Sequence, residues 1–216
     1  MRLLLVGPPG AGKGTQAAMI CAKLGIPHIS TGDMFRKAIK EGTKYGKKAK
    51  EYIEAGQLVP DSITVEIVKE RLKESDCSLG FLLDGFPRTV AQAEALDKIL
   101  EELGVNLDKV INIELPDAKI LDRLTGRRTC PKCGATYHIK NNPPSEEGKC
   151  DECGSDLIQR SDDTEATVKS RLEVYHEETA PVIAFYESKN LVCYVDGDQP
   201  ISQVLTCVGR CIGRDL

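Results

Sequence analysis

Arg2-Leu3-Leu4-Leu5-Val6-Gly7-Pro8-Pro9-Gly10-Ala11-Gly12-Lys13-Gly14-Thr15 sets an apolar run, a glycine-rich segment and a lysine in immediate succession. Arg2–Val6 reads as a short buried strand that runs into a loop, with a helix following over Lys13–Leu24. Strand, glycine loop and helix N-terminus in that order are what a phosphate-binding loop requires. Glycines let consecutive backbone N–H groups turn inward as a nest for phosphate oxygens, and the helix dipole adds positive potential at the same place. Lys13 is placed to reach the β- and γ-phosphates of a nucleotide. The general pattern has Ser or Thr directly after the lysine; here Gly14 stands there and Thr15 follows.

Outward from this loop, strand and helix signals alternate. Residues 27–30 read as a second short strand, 31–41 and 44–55 as two helices split at Gly42, and Pro60-Asp61 as the start of a helix reaching about residue 74. A strand at 81–83 is followed by Val90, Ala93, Leu96, Leu100 and Leu103 at helical spacing. A strand at 109–115, a helix at 117–127, a last strand at 191–195 and a last helix at Ile201–Ile212 complete the series. A long helix resumes near Thr164, with Asp162 and Glu165 spaced like a capping box and Pro181 placed to bend it. The alternation predicts an α/β fold, a parallel sheet with helices on both faces. Two stretches break the rhythm: 30–59 is helical without a strand, and 126–163 is loop-rich. Both read as insertions into a core made of 1–29, 60–125 and 164–216.

Composition bounds the function. The 216 residues carry 29 basic and 33 acidic side chains, a formal net charge of −4, with 41% hydrophobic residues and no Trp. That supports one domain with small insertions and excludes disorder, collagen or coiled coil for the whole chain. No apolar run approaches the roughly 20 residues of a membrane span, and 3–6 is too short for a signal-peptide core. The mildly acidic balance argues against non-specific nucleic-acid binding. Of nine cysteines, Cys21, Cys77, Cys193, Cys207 and Cys211 sit singly in apolar segments and read as buried, reduced thiols of a reducing compartment. The other four form Cys130-x2-Cys133 and Cys150-x2-Cys153, separated by 16 residues. This is the spacing of a four-thiolate zinc site, whose closed shell leaves no position for water, so the zinc is structural. Between Cys130 and Cys153 only Ala135, Tyr137 and Ile139 read as core-forming. Residues 126–163 hold six basic against seven acidic side chains, which does not suit a zinc ribbon that binds a phosphate backbone.

The chain has 11 arginines. Arg123, Arg127, Arg128, Arg160 and Arg171 crowd around the second insertion; Arg36 and Arg88 flank the first. Transfer of a phosphoryl group spreads negative charge over several oxygens, a load that planar guanidiniums suit. Asp84 ends an apolar strand, where a phosphate-loop protein keeps a carboxylate near magnesium. If the acceptor is itself a phosphate it needs no general base, and none is evident. His28, His138 and His176 lie in separate segments and read as structural or surface groups. The lysines of 44–50 read as a solvated helix face.

Taken together these motifs resemble the adenylate kinase family in its long-lid, zinc-bearing form. The resemblance covers the whole chain. It rests on the loop 7–15, on Ser30-Thr31-Gly32-Asp33-Met34-Phe35-Arg36, on Asp84-Gly85-Phe86-Pro87-Arg88, on Gly126-Arg127-Arg128 and on the four cysteines. Gly14 after the loop lysine is usual in that family. The resemblance implies a P-loop NTPase-type sheet, with 30–59 as a helical AMP-binding insertion and 126–163 as a zinc-bearing lid. It implies reversible in-line phosphoryl transfer from MgATP to AMP, giving two ADP, and a part in adenine nucleotide homeostasis. Carried over by position, Gly10, Ala11, Gly12, Lys13, Gly14 and Thr15 hold ATP phosphates. Arg127, Thr136 and Tyr137 contact ATP from the lid, and Arg123 and Gln199 lie by its adenine. Thr31, Arg36, Gln57, Leu58, Val59, Gly85, Phe86, Pro87, Arg88 and Gln92 hold AMP, and Thr31 favours adenine over pyrimidines. Lys13, Arg88, Arg127, Arg160 and Arg171 carry the transferring group, with Arg160 and Arg171 also reaching AMP. Asp33 and Asp84 hold magnesium through water, and Cys130, Cys133, Cys150 and Cys153 hold zinc. The partners implied are ATP, AMP and ADP, with neither nucleic acid nor membrane, for a cytoplasmic monomer.

Overall fold

Val6 is followed by Gly7 at φ +131°, and a Cβ there would lie 2.2 Å from the Ile113 carbonyl oxygen. Only glycine lets the chain turn out of the sheet at that point. The computed structural model describes residues 1–216. Its sheet has five parallel strands: β1 (Arg2–Val6), β2 (His28–Ser30), β3 (Phe81–Asp84), β4 (Lys109–Glu114) and, last in the chain, β7 (Val192–Asp196). They lie in the order β2-β3-β1-β4-β7. β1 is central, with Leu4 opposite Leu83 of β3 and Val110 of β4. A central parallel strand meets helices on both faces, which is why Leu3–Val6 is an unbroken apolar run.

Alternate residues feed two cores. Leu3, Leu5, Ile111 and Ile113 pack with residues of α1 (Lys13–Leu24), α6 (Asp117–Thr125), α7 (Glu165–Val174) and α9 (Ile201–Ile212). Leu4, Val6, Leu83 and Val110 pack on the other face with α4 (Asp61–Leu72), α5 (Val90–Glu102) and α8 (Ala180–Glu187). Two satellite clusters stand apart. Phe35, Ala49 and Val59 join α2 (Thr31–Lys40) to α3 (Lys44–Glu54). Cys130, Tyr137 and Cys150 form the other, beside the antiparallel pair β5 (Arg127–Thr129) and β6 (Thr136–His138). No helix is long and apolar enough to cross a membrane. The lysines of α3 are exposed, as the solvated-face reading expects.

The structure departs from the sequence reading at five places. The helix expected over 117–127 stops at Thr125, and Arg127 opens β5; three-residue strands carry too little periodicity to show. Asp162 and Glu165 do not form a capping box. Thr164 caps α7 by accepting the Thr167 N–H, while Asp162 is buried against arginines. Ile139 is half exposed, not core. Cys193 and Cys211 are not free thiols: a disulfide joins them across 18 residues, β7 to α9, with Cα atoms 6.0 Å apart. The sheet sets that strand under that helix, a proximity that sequence separation hides. Cys207 is a partly exposed free thiol, whereas Cys21 and Cys77 are buried and free, with burial pushing Cys21 up to about 12. Pro181 leaves its mark one turn earlier, where Tyr175–Thr179 widens into i→i+5 turns between α7 and α8. A ring without an N–H crowds the carbonyl four residues back, and the wider turn relieves it.

Candidate phosphoryl-transfer site

Gly12, φ +94°, precedes α1, which has no side chain capping it and no acid in its first turn. Its first N–H groups therefore remain available to an anion. Lys13 Nζ curls back over the loop and donates to the carbonyls of Gly7 (2.6 Å) and Pro8 (2.7 Å). The side chain is only half-buried by exposed area, but its ammonium lies at the crowded centre of the site. Burial lowers it to about 7; Asp84 opposes that shift, and Arg88, Arg171 and Arg127 add to it.

Those arginines come from three segments. Arg88 follows β3 and donates through Nε to the Gly85 carbonyl at 2.9 Å. Arg127 opens β5 and grips Asp163 with both Nε (2.8 Å) and Nη2 (2.5 Å). Arg171, on α7, donates to Asp162 at 3.0 Å and to Asp163 at 3.3 Å. Arg160 donates to Thr129 Oγ1 at 3.1 Å. Asp163 is fully buried, so without its two guanidiniums it would be an uncompensated charge. Burial, then Arg171, lowers Arg88 to about 10; burial, then Arg127 and Arg36, lowers Arg160 to about 9. Cations that depress one another in this way suit a polyanion. Asp162 and Asp163 tie the cluster together; the sequence reading missed both, taking Asp162 for a helix cap with Glu165 and giving Asp163 no role.

A groove under α2 is walled by Thr31, Arg36, Val59, Gly85, Arg88 and Gln92 and closes on Asp162 and Arg171. Thr31 Oγ1 donates to the Gly85 carbonyl at 2.8 Å. Gly85 sits at φ +77°, a backbone conformation that side chains disfavour, and a Cβ there would also press on Arg88 Nη2 at 2.9 Å. Leu58 and Gln57 also line the groove, and Gln57 Nε2 reaches Ser170 Oγ of α7 at 3.3 Å. Phe86 gives its side chain wholly to the core, and Pro87 follows it, so these two position Gly85 and Arg88. Arg36 grips Asp33 at 2.6 Å. Burial alone would raise that carboxyl, but Arg36 holds it below the usual range.

On the far side of the loop, Arg123 Nη2 donates to the Gly197 carbonyl at 3.0 Å, beside Gln199, whose amide donates to Asp196. Arg128 spends its guanidinium on the carbonyls of Thr125 and Arg127. Thr136 lies on β6, and its hydroxyl turns to the Gly134 carbonyl. The Tyr137 ring is buried, with its hydroxyl accepting the Asp151 N–H and lying 3.6 Å from Cys150 Sγ. A nucleotide contact from Tyr137 would therefore be a backbone one.

Two metals can be tested against these residues. The four sulfurs of Cys130, Cys133, Cys150 and Cys153 lie within 4.8 Å of one another, with 3.5 Å between Cys130 and Cys153 and between Cys133 and Cys150. Zn–S bonds of about 2.3 Å give tetrahedral edges of about 3.8 Å, so the donor set fits zinc. Asp84 is buried, 3.3 Å from His28 Nε2, and its Oδ2 is 3.8 Å from where a Gly14 Cβ would stand. A carboxylate so close to the phosphate loop fits a magnesium hydrate, whereas Asp33 is already engaged by Arg36. His28, read from sequence as structural or surface, thus touches the site through Asp84. His138 accepts the Lys140 and Asn141 N–H groups at Nδ1 and donates through Nε2 to the Asp122 carbonyl, and His176 pairs with Asp117 at the surface.

Comparison with known proteins shows the family of the chain. The family model described as adenylate kinase matches residues 5–191. The chain is 60% identical over 215 residues to the adenylate kinase of Moorella thermoacetica, covering 100% of this chain and 99% of that one. It is 64% identical over 205 residues to that of Desulfitobacterium hafniense, covering 95% and 94%. To that of Clostridium perfringens it is 57% identical over 215 residues, covering 100% of both.

Proposed function

The chain belongs to the adenylate kinase family and interconverts ATP plus AMP with two ADP; from that premise we propose which residues do the work. Lys13 and the loop N–H groups take the ATP phosphates, while Arg123 and the 197–199 segment take its base. The groove under α2 takes AMP, with Arg36 and Arg88 on its phosphate. Arg127, Arg160 and Arg171 carry the charge of the group in flight. The observation behind this reading is the cation cluster: Arg127 and Arg171 meet on Asp163, and Arg171 shares the groove wall with Arg88, all near enough to Lys13 to act on its charge. AMP phosphate is already an anion, so these residues need only position, neutralise and exclude water. Asp84 would hold magnesium through water, and the ion arriving with ATP would supply further charge neutralisation. Zinc in the four-thiolate cluster holds 126–163 together and does not meet substrate.

In this reading 30–59 is the AMP arm and 126–163 the lid, each with its own small cluster, closing on 1–29, 60–125 and 164–216. Lys40 of the arm reaches the Pro131 carbonyl at 3.4 Å and Ser170 reaches the Ala55 carbonyl at 3.1 Å. Such contacts suit two insertions drawn over one cleft. We place the enzyme as a monomer in the cytoplasm. Four thiolates poised for zinc and buried free Cys21 and Cys77 support that compartment, while the Cys193–Cys211 bond argues against it for that pair. A coupled assay across nucleoside monophosphates tests the whole. AMP should be far preferred over CMP and UMP; comparable rates would reject the adenine reading of the groove.

A further inference from the structure

We propose that Asp61 is the positioning residue through which the groove accepts adenine and refuses a 6-oxopurine. The proposal rests on the reading of that groove as the AMP site. Asp61 opens α4, where its Oδ2 accepts from Thr89 Oγ1 (2.9 Å) and its Oδ1 from Gln92 Nε2 (2.6 Å). Gln92 is 2% exposed, and its Oε1 accepts the Arg88 N–H at 2.8 Å. The two ends of a glutamine amide are similar in shape and opposite in bonding. A carboxylate can only accept and a backbone N–H can only donate, so these neighbours admit one orientation: nitrogen toward Asp61, oxygen toward Arg88.

What remains of the amide is one N–H and one oxygen lone pair. Adenine presents an N6 amino donor beside the N1 acceptor, and the pair matches. Hypoxanthine and guanine present an O6 acceptor beside an N1–H donor and would need the amide reversed. Reversal sets the amide oxygen against the Asp61 carboxylate and the amide N–H against the Arg88 N–H. Discrimination then comes from built-in repulsion as well as from attraction, and a buried site left with mismatched polar groups rejects strongly.

The test is steady-state kinetics with ATP as donor and AMP or IMP as acceptor. In Asp61→Asn the side-chain amide can donate toward residue 92 and tolerate the reversed orientation. The AMP-to-IMP ratio of kcat/KM should fall about tenfold or more, chiefly through a higher KM for AMP. Thr89→Val, which keeps the Asp61–Gln92 contact, and Asp61→Glu, which keeps an acceptor, should retain the preference. Equal losses for AMP and IMP in Asp61→Asn would show a merely structural residue and overturn the proposal. The wild-type protein gives a second readout in its Gln92 side-chain amide NMR signals. A proton shifted downfield and slow to exchange supports the contact; free exchange with water overturns it, whether or not any variant folds. A wild-type chain that phosphorylates no adenine nucleotide would sink the reading of the groove itself. A normal AMP preference with an unchanged ratio in Asp61→Asn would sink only this inference.

Discussion

The Lys13 ammonium spends its hydrogen bonds on two loop carbonyls, and burial brings it down to about 7. An unfolded lysine titrates near 10.4, so between about pH 7 and 10 the unfolded chain holds the extra proton. Lys13 therefore penalises folding fully below pH 7, and the penalty fades as pH rises through that window. A phosphate in the loop reverses the balance. At pH 8, nucleotide binding should draw a proton onto the protein, read by calorimetry in buffers of different ionisation enthalpy. Lys13→Met should abolish the uptake; equal uptake in both proteins would place the proton elsewhere. Arg88 makes a different demand. Its Nε is fixed on Gly85 and its charge faces Arg171 and Arg36. Arg88→Ala should lower kcat/KM on the order of 10³-fold, while Arg214→Ala leaves it near wild type. Similar small effects would make Arg88 a surface residue. Lys13 and these arginines were visible in the sequence because spacing and residue type carry their chemistry. Asp61, Asp162 and Asp163 were not, because their task is to hold other side chains, which only the folded chain reveals.

At the scale of elements, the segment 126–163 has little apolar core of its own. Its cluster has three buried residues, two of them cysteines, and its strands β5 and β6 are three residues each. Zinc binding in such a segment is folding free energy, of order 10 kcal/mol in small zinc peptides. One zinc per chain is expected by elemental analysis. Chelation should strip hydrogen-exchange protection from 126–163 and leave β1 and β3 protected. Uniform loss through the sheet would refute a local role, and unchanged melting after removal would refute the site. Strand and helix legibility follows the same physics. β1 and α1 stood out because a buried strand and a loop-bound helix each leave a long pattern. β5 and β6 left none, since a ladder of three pairs is fixed by its partner rather than by its own sequence. Thr164 took the cap that Asp162 was expected to fill because buried guanidiniums had claimed the carboxylate.

For the molecule as a whole, alternation announced a parallel sheet but not the order β2-β3-β1-β4-β7, which depends on long-range packing. That order sets β7 beside β4, and α9 packs against β7, bringing Cys193 to Cys211. Closing an 18-residue span stabilises by roughly 3 kcal/mol in the chain-entropy account. At roughly 2–4 °C per kcal/mol for a chain of this size, reduction should lower the melting temperature by about 6–12 °C. A Cys193→Ser/Cys211→Ser double variant should melt alike with and without reductant; wild-type melting that ignores reductant would show that the bond contributes nothing. The cation cluster has its own reach at this scale. A chain of formal charge −4 gathers Lys13, Arg36, Arg88, Arg127, Arg160 and Arg171 around Asp33, Asp84, Asp162 and Asp163, leaving a local surplus of positive charge. Any small oxyanion that enters this surplus binds the folded form alone, and at a hundred times its dissociation constant it adds about 2.7 kcal/mol. Two melting curves of this protein, one recorded in phosphate and one in a zwitterionic buffer, would therefore describe two different thermodynamic species, and their difference would measure the anion rather than the fold.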